Sequence, residues 1–219
     1  MLRNYWGAGE DPNAEAVFDQ AVETLKSSGA EIVDPIELEI DGMWEAEDVA
    51  FSYEFKAGID GYLQASGASV KSLEEVIRFN AENAAEVMPF FGQEVMEAAQ
   101  KKGPLSEDAY LKALAESKRI SQAAIDGALK ANRIDAIIAP ANSPAWLTDH
   151  VNGDVGFGLS SSSYAAVSGY ASVNVPAGFV HHLPIGVSFI AGAYSEKQLI
   201  DIAYAFEQAS KARRAPEGL

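Results

Sequence analysis

Four consecutive serines, Ser160 to Ser163, stand ahead of a small-residue helix in the stretch GLSSSSYAAVSGYASVNVPAG, residues 158–178. A serine so placed can be a hydrolase nucleophile if a histidine and a carboxylate lie within reach. Ser161 could attack, His150 or His182 could act as base, and Asp149 or Asp154 could orient that base. The run lacks the Gly-x-Ser-x-Gly turn that lifts a nucleophile above a sheet. Serine hydroxyls at a helix start also satisfy free backbone N–H groups. Capping is therefore the expectation for residues 160–163, and a self-sufficient Ser161–His150 hydrolase is the rival that it displaces.

Other chemistries find less support. The histidines are His150, His181 and His182, and there is no cysteine. Neighbouring residues on a regular strand point to opposite faces, so His181 and His182 cannot converge on one ion there. No metal-ligand spacing accompanies the pair. The glycines of GYASVNVPAG and GVSFIAG match neither the P-loop nor the dinucleotide fingerprint. Neither a metal nor a cofactor is expected.

The net charge of −16 works against nucleic acid and anionic membrane surfaces as partners. Residues 1–60 carry 15 acids against Arg3, Lys26 and Lys56, which reads as a solvated acidic face. No apolar run approaches the roughly 20 residues needed to span a bilayer. The opening MLRNYWGAGEDP has no apolar core segment or cleavage-like site. A soluble, cytoplasmic chain is the expectation.

These residues must be held by helices and strands in mixed order. Asp11 and Pro12 start a helix carrying Val17, Phe18, Ala21, Val22 and Leu25, and AEIVDPIEL follows as a short strand. A helix is predicted over 45–63. SLEE at 72–75 is a capping box, MPFFGQE breaks the next helix, and Ser106 opens the longest one. DAIIAPA at 135–141 reads as a central buried strand, with Ile137 and Ile138 on opposite faces. ASVNVPAGF and PIGVSFIAG read as two strands joined around VHHLP, and SEKQ at 195–198 as a second capping box. The class is α/β, a mixed β-sheet covered by helices. With no Gly/Ser linker, residues 1–219 are expected to form one domain.

Taken in order, DAIIAPANSPAW, NGD, the serine-rich helix start, GYASVNVPAG, LPIGVSFIAG and SEKQLIDIAYAFEQAS resemble the C-terminal part of the amidase signature family. The match continues upstream through LRNYWG, SSGAEIVDP and FFGQE, and is nearest to the peptide-amidase-like branch. The resemblance implies carboxamide hydrolysis by a serine nucleophile, a second serine with a cis peptide bond, and a lysine. In the family these three lie in the N-terminal half, the serines in a Gly/Ser-rich region that residues 1–219 do not contain. So no catalytic residue is assigned, and the four serines are not the family nucleophile. The resemblance places Phe91, Gln93, Asn142, Trp146, Asp149, Ser161, Ser162 and Ser163 near the substrate cavity. Ordinary core packing is the competing reading for Phe91 and Trp146. The implied substrate is a small-molecule or peptide amide. The implied assembly is a homodimer or pairing with a separate N-terminal half. A non-catalytic binding or assembly module is the alternative function.

Overall fold

Asp11 accepts backbone N–H bonds from Asn13 and Ala14 on one carboxylate oxygen, at 3.0 and 3.1 Å, and Pro12 fills the first position of α1 (Pro12–Ser27). Such a cap contributes about 1 kcal/mol. The buried side of α1 is Ala14, Phe18, Ala21, Val22 and Leu25, as the helical spacing predicts. The structure is a computed structural model in which residues 1–153 and 158–216 are described.

The helices that follow are α2 (Met43–Ala65), α3 (Leu73–Glu82), α4 (Ala84–Val87), α5 (Glu94–Gln100) and α6 (Asp108–Asn132). The first capping box forms: Ser72 Oγ accepts the Glu75 N–H at 3.2 Å, and the Glu75 carboxylate accepts the Lys71 N–H at 2.7 Å. Then come β1 (Ile137–Pro140), α7 (Ser162–Ser168), β2 (Ser172–Val180), β3 (Leu183–Ile190) and α8 (Glu196–Ser210). The second capping box does not form. Ser195 makes no side-chain cap bond, and Gln198 Nε2 donates instead to the Asp135 carbonyl at 3.2 Å.

The three strands pair antiparallel in the order β1–β3–β2, with Ile137 opposite Ile190 and Asn174 opposite Ser188. A two-residue loop, His181 and His182, closes the β2–β3 hairpin, and His181 takes a left-handed φ of 54°. Beyond β1, the Leu2 N–H donates to the Ile138 carbonyl at 2.9 Å, and Leu2 bridges Ile36 in parallel. The pairing is thus mixed, and helices lie on both faces, as an α/β class requires.

Two strand expectations need correcting. β1 is not central among the named strands; β3 is, and on its far edge β1 meets no named strand among the described residues, but accepts the Leu2 N–H at Ile138 and the Ser161 hydroxyl at Pro140. Residues 30–38 form no named strand, only the Ile36 bridge. Beyond Ile36 the Asn4 side chain, not its backbone, accepts the Leu38 N–H at 3.0 Å and donates to the Leu38 carbonyl at 2.8 Å, so the ladder stops there.

The opposite-face expectation for the two isoleucines holds. Ile137 packs with Ile125, Ala128, Tyr164 and Ala165 of α6 and α7. Ile138 packs with Phe18, Leu25, Leu199 and Phe206 of α1 and α8. Both side chains are buried, and alternation along β1 sends them into two different apolar clusters.

The described residues divide into two compact units. Residues 1–40, 118–147 and 158–216 form the first, which holds the sheet. Residues 41–117 and 148–153 form the second, which is helical. Its small core pairs Tyr53 with Tyr110, and each hydroxyl donates to a glutamate, Tyr53 to Glu107 at 2.7 Å and Tyr110 to Glu54 at 2.8 Å. Lys56 Nζ donates to the carbonyls of Gln100 and Lys102 at 3.0 and 2.6 Å, which closes the C-terminal end of α5.

Candidate functional site

In the first unit, the residues at issue gather at the C-terminal end of β1. Backbone bonds carry the pairing past Pro140: Ala141 N–H donates to Gly186, Ser143 N–H to Leu159, and Ser160 N–H to Trp6. Trp6, Ser160 and Asn142 therefore lie side by side as isolated antiparallel bridges. Close approach makes this geometry possible. A Cβ on Gly7 would fall 2.6 Å from the Gly158 carbonyl carbon, and Gly7 also has φ of +73°. A Cβ on Gly158 would meet the Trp6 indole. Gly7 needs glycine on both counts, whereas a side chain at Gly158 would require the indole to move.

Ser161 is buried, and its hydroxyl donates to the Pro140 carbonyl at 2.6 Å. It therefore does not cap α7, which corrects the capping expectation for this residue. The Ser160 hydroxyl lies nearest the cap role, 3.5 Å from the Ser162 nitrogen and 3.2 Å from the Ser162 hydroxyl. Ser162 is exposed and Ser163 half-buried. The Asn142 side chain accepts the Ser143 N–H at 2.9 Å. Trp146 is 46% exposed and borders a hollow of about 300 Å³ shared with Glu10, Asp11 and Pro12.

Some polar residues here escaped the sequence reading. Ser172, Asn174 and Ser188, which the sequence reading did not name, join the expected Ser162 in lining an open hollow of about 490 Å³ beside Ala141. Their signal was present in the alternation of SVN and VSF, which puts Ser172, Asn174 and Ser188 on one face of the hairpin. Ser143 was also missed. Its hydroxyl is buried and has no hydrogen-bond partner among the described residues. A larger hollow, about 750 Å³, lies toward the other end of β1, over Ile138 and Phe189, and holds none of the expected residues.

The second unit carries Phe91, Gln93 and Asp149. Gln93 is buried, and both ends of its amide are bonded: Oε1 accepts from Asn80 and Nε2 donates to the Ile77 carbonyl, both at 3.1 Å. It pins the 88–93 segment to α3. Asp149 closes a turn on itself. Its Oδ1 accepts the N–H groups of Val151 and Asn152 at 2.8 and 2.9 Å, and its Oδ2 accepts the Asn152 amide at 2.8 Å. The bonds from Asn152 and then Val151 hold this carboxyl below its ordinary range. Phe91 is 43% exposed and tilts against His150, with ring centroids 5.9 Å apart.

A Ser–His–Asp set does not assemble from the described residues. Ser161 is spent on Pro140, and no hydrogen bond joins Ser160 to Ser163 with a histidine. His150 belongs to the second unit, where it stacks on Phe90, and His182 sits in the hairpin loop. Asp154 lies outside the described residues. Among the described residues, no group of three or more His, Asp or Glu could hold a metal ion.

The family described as Amidase matches residues 2–200. The chain belongs to the amidase signature family. This amidase-family chain is 32% identical over 210 residues to a probable amidase of Arabidopsis thaliana, covering 92% of itself and 38% of that protein. Among solved structures, it matches the native peptide amidase of Stenotrophomonas maltophilia with a TM-score of 0.79 at 38% identity, covering 93% of this chain and 41% of that one. An amidase family protein of Bacillus anthracis gives a TM-score of 0.71 at 27% identity, covering 99% of this chain and 39% of that one. The chain thus spans less than half the length of these relatives. No helix among the described residues is long and apolar enough to cross a membrane.

Proposed function

We propose that residues 1–219 are the substrate-pocket portion of a carboxamide hydrolase whose Ser–cis-Ser–Lys catalytic region is supplied by another stretch of polypeptide. The observation that carries this reading is the 38% identity with a peptide amidase of which the chain covers only 41%. The absence of a Gly/Ser-rich signature region from residues 1–219 supports it. In the proposed complete enzyme a serine attacks the amide carbonyl, backbone N–H groups hold the oxyanion, and water clears the acyl intermediate. This chain contributes recognition. In the sheet-bearing unit the proposed recognition residues are Asn142, Trp146 and Ser161 to Ser163. In the helical unit they are Phe91, Gln93 and Asp149. Ser161 and Gln93 act by holding backbone, because their polar atoms are already bonded. Ser162, Ser172 and Asn174 are the exposed polar residues along the hollow beside Ala141.

The proposed assembly follows from the sheet. Along its outer edge β2 has no strand partner among the described residues. Unpaired edges invite pairing with another chain. A separate N-terminal half is the proposed partner, and a homodimer burying at least about 1,000 Å² is the default in its absence. The test is complementation: mix the chain with the separately produced N-terminal half of a peptide amidase and measure ammonia released from peptide amides. Activity that appears only on mixing is expected. Ammonia release by the chain alone would overturn the division of labour.

A further inference from the structure

Phe90 and Phe91 follow α4 with no helix of their own to bury them, and they are 58% and 43% exposed. Residue 150 comes from a separate stretch of the same unit, and its ring lies against both. The Phe90 and His150 rings are 4.2 Å apart at their centroids and within 2° of parallel. Phe91 meets the same imidazole at 59°. Two flat faces and a tilted third make an aromatic corner open to solvent. The 148–153 turn that presents His150 is closed by the Asp149 bonds to Val151 and Asn152, so the imidazole is held in place by its own loop.

The segment that carries the two phenylalanines has charge of one sign. Between Arg78 and Lys101 the chain carries Glu82, Glu86, Glu94 and Glu97 and no lysine or arginine. The Glu94 carboxylate folds back over the residue after Phe91, close enough that a Cβ on Gly92 would lie 2.6 Å from Glu94 Oε2. No salt bridge among the described residues involves Glu94. An aromatic face attracts a cation through its quadrupole, and a nearby carboxylate adds to that attraction. The planar guanidinium suits such a corner best, because it can stack on a ring while its edge donates to a carboxylate.

We propose that Phe90, Phe91 and His150 form a subsite for a basic side chain, arginine foremost, with Glu94 as its counter-charge. The proposal deepens the pocket-wall reading, on which it rests for the identity of the ligand: a peptide amide with a basic residue. Binding itself needs no catalytic half. The test is therefore a titration of the chain with N-acetyl-arginine amide, followed through the His150 ring signals by NMR and assigned by their loss in His150→Gln. N-acetyl-citrulline amide, which keeps the planar shape without the charge, and N-acetyl-leucine amide are run in parallel. The arginine amide should shift the His150 signals and bind about two- to fivefold more tightly than citrulline, the range expected of an exposed cation–π contact. Phe90→Leu keeps apolar bulk and removes the stack, so it should abolish that preference with the far-UV spectrum unchanged. Glu94→Gln should weaken arginine and leave citrulline unaffected. Equal binding of arginine and citrulline, a preference for leucine, or arginine binding undiminished in Phe90→Leu would each overturn the proposal. If complementation fails but the His150 shifts appear, the hydrolase reading fails and the subsite stands. Amide hydrolysis with no His150 response would leave the hydrolase and remove the subsite.

Discussion

The serine turn of the first unit and the aromatic loop of the second hold their functional candidates in opposite ways. At the serine turn, backbone does the holding. Trp6, Asn142 and Ser160 are joined by main-chain bridges, and Gly7 and Gly158 let the segments touch. In the second unit, side chains do it. Gln93 clamps a segment to α3, Asp149 closes its own turn, and His150 stacks on Phe90. The difference predicts where each region is brittle. The first should fail when a glycine gains a side chain, the second when a polar or aromatic group is removed.

The largest effect is expected beneath the first region, in the sheet that carries it. Ile138→Asp puts a carboxylate into the cluster of Phe18, Leu25, Phe189 and Phe206 without a partner. Burying an unpaired charge costs many kcal/mol unless the group neutralises. No soluble protein should be recovered, and normal expression would refute the placement of Ile138 in that core.

Next come the two glycines, which separate backbone from side-chain crowding. Gly7→Ala combines a left-handed φ with a backbone clash against Gly158, so the main chain has to move. A left-handed φ on a non-glycine costs roughly 1–2 kcal/mol before any clash is counted. Gly158→Ala meets only the Trp6 indole, a side chain 63% exposed with solvent on its outer side to move into. Urea melts should rank Gly7→Ala as the more damaging. The reverse order would mean that the ladder at Ser160 is not held by main-chain proximity.

A smaller pair compares the buried polar pins directly. Ser161→Ala removes a buried donor to Pro140 and should cost about 1–3 kcal/mol in the first unit. Gln93→Ala releases the half-exposed Asn80, which can turn to water, so about 1 kcal/mol is expected. Hydrogen exchange should localise the second effect to residues 77–93. Equal losses would blur the distinction between the two regions.

The smallest effect is a pH response confined to the aromatic loop. The Asp149 carboxyl is held below its ordinary value by bonds from Asn152 and Val151. A depressed carboxyl favours the folded turn at pH above its unfolded value, about 3.9, and that contribution fades as the pH falls from there through the folded value. Amide exchange at Val151 and Asn152 should therefore quicken selectively below about pH 4, and Asp149→Asn should remove the selectivity.

Local signals read well from the sequence wherever the partner was also local. Asp11 with Pro12 and Ser72 with Glu75 form the caps that their spacing predicts, because the acceptor and the N–H lie within one turn. Ile137 and Ile138 separate to two faces because alternation along a strand is a local rule. The failures share another cause. Gln198 leaves its capping box for Asp135, 63 residues away, and Ser161 leaves the α7 N-terminus for Pro140, 21 residues away. Nothing in SEKQ or SSSS records those competitors. The same holds for the candidate site. Asn142 and Ser161 come together because residues 159 and 160 pair back on residues 142 and 143, just past β1, a contact visible only in three dimensions. The Phe90–His150 stack likewise joins positions 60 residues apart, and it escaped notice for that reason.

The claim that this chain recognises but does not itself cleave is tested most directly with a serine-directed fluorophosphonate. The reagent reports an activated serine without requiring any knowledge of the substrate. The account expects no labelling of the chain alone, because the Ser161 hydroxyl is committed to Pro140 and no histidine bonds to Ser160 through Ser163 among the described residues. Stoichiometric labelling that disappears in Ser161→Ala would contradict it and restore a nucleophile to the serine run.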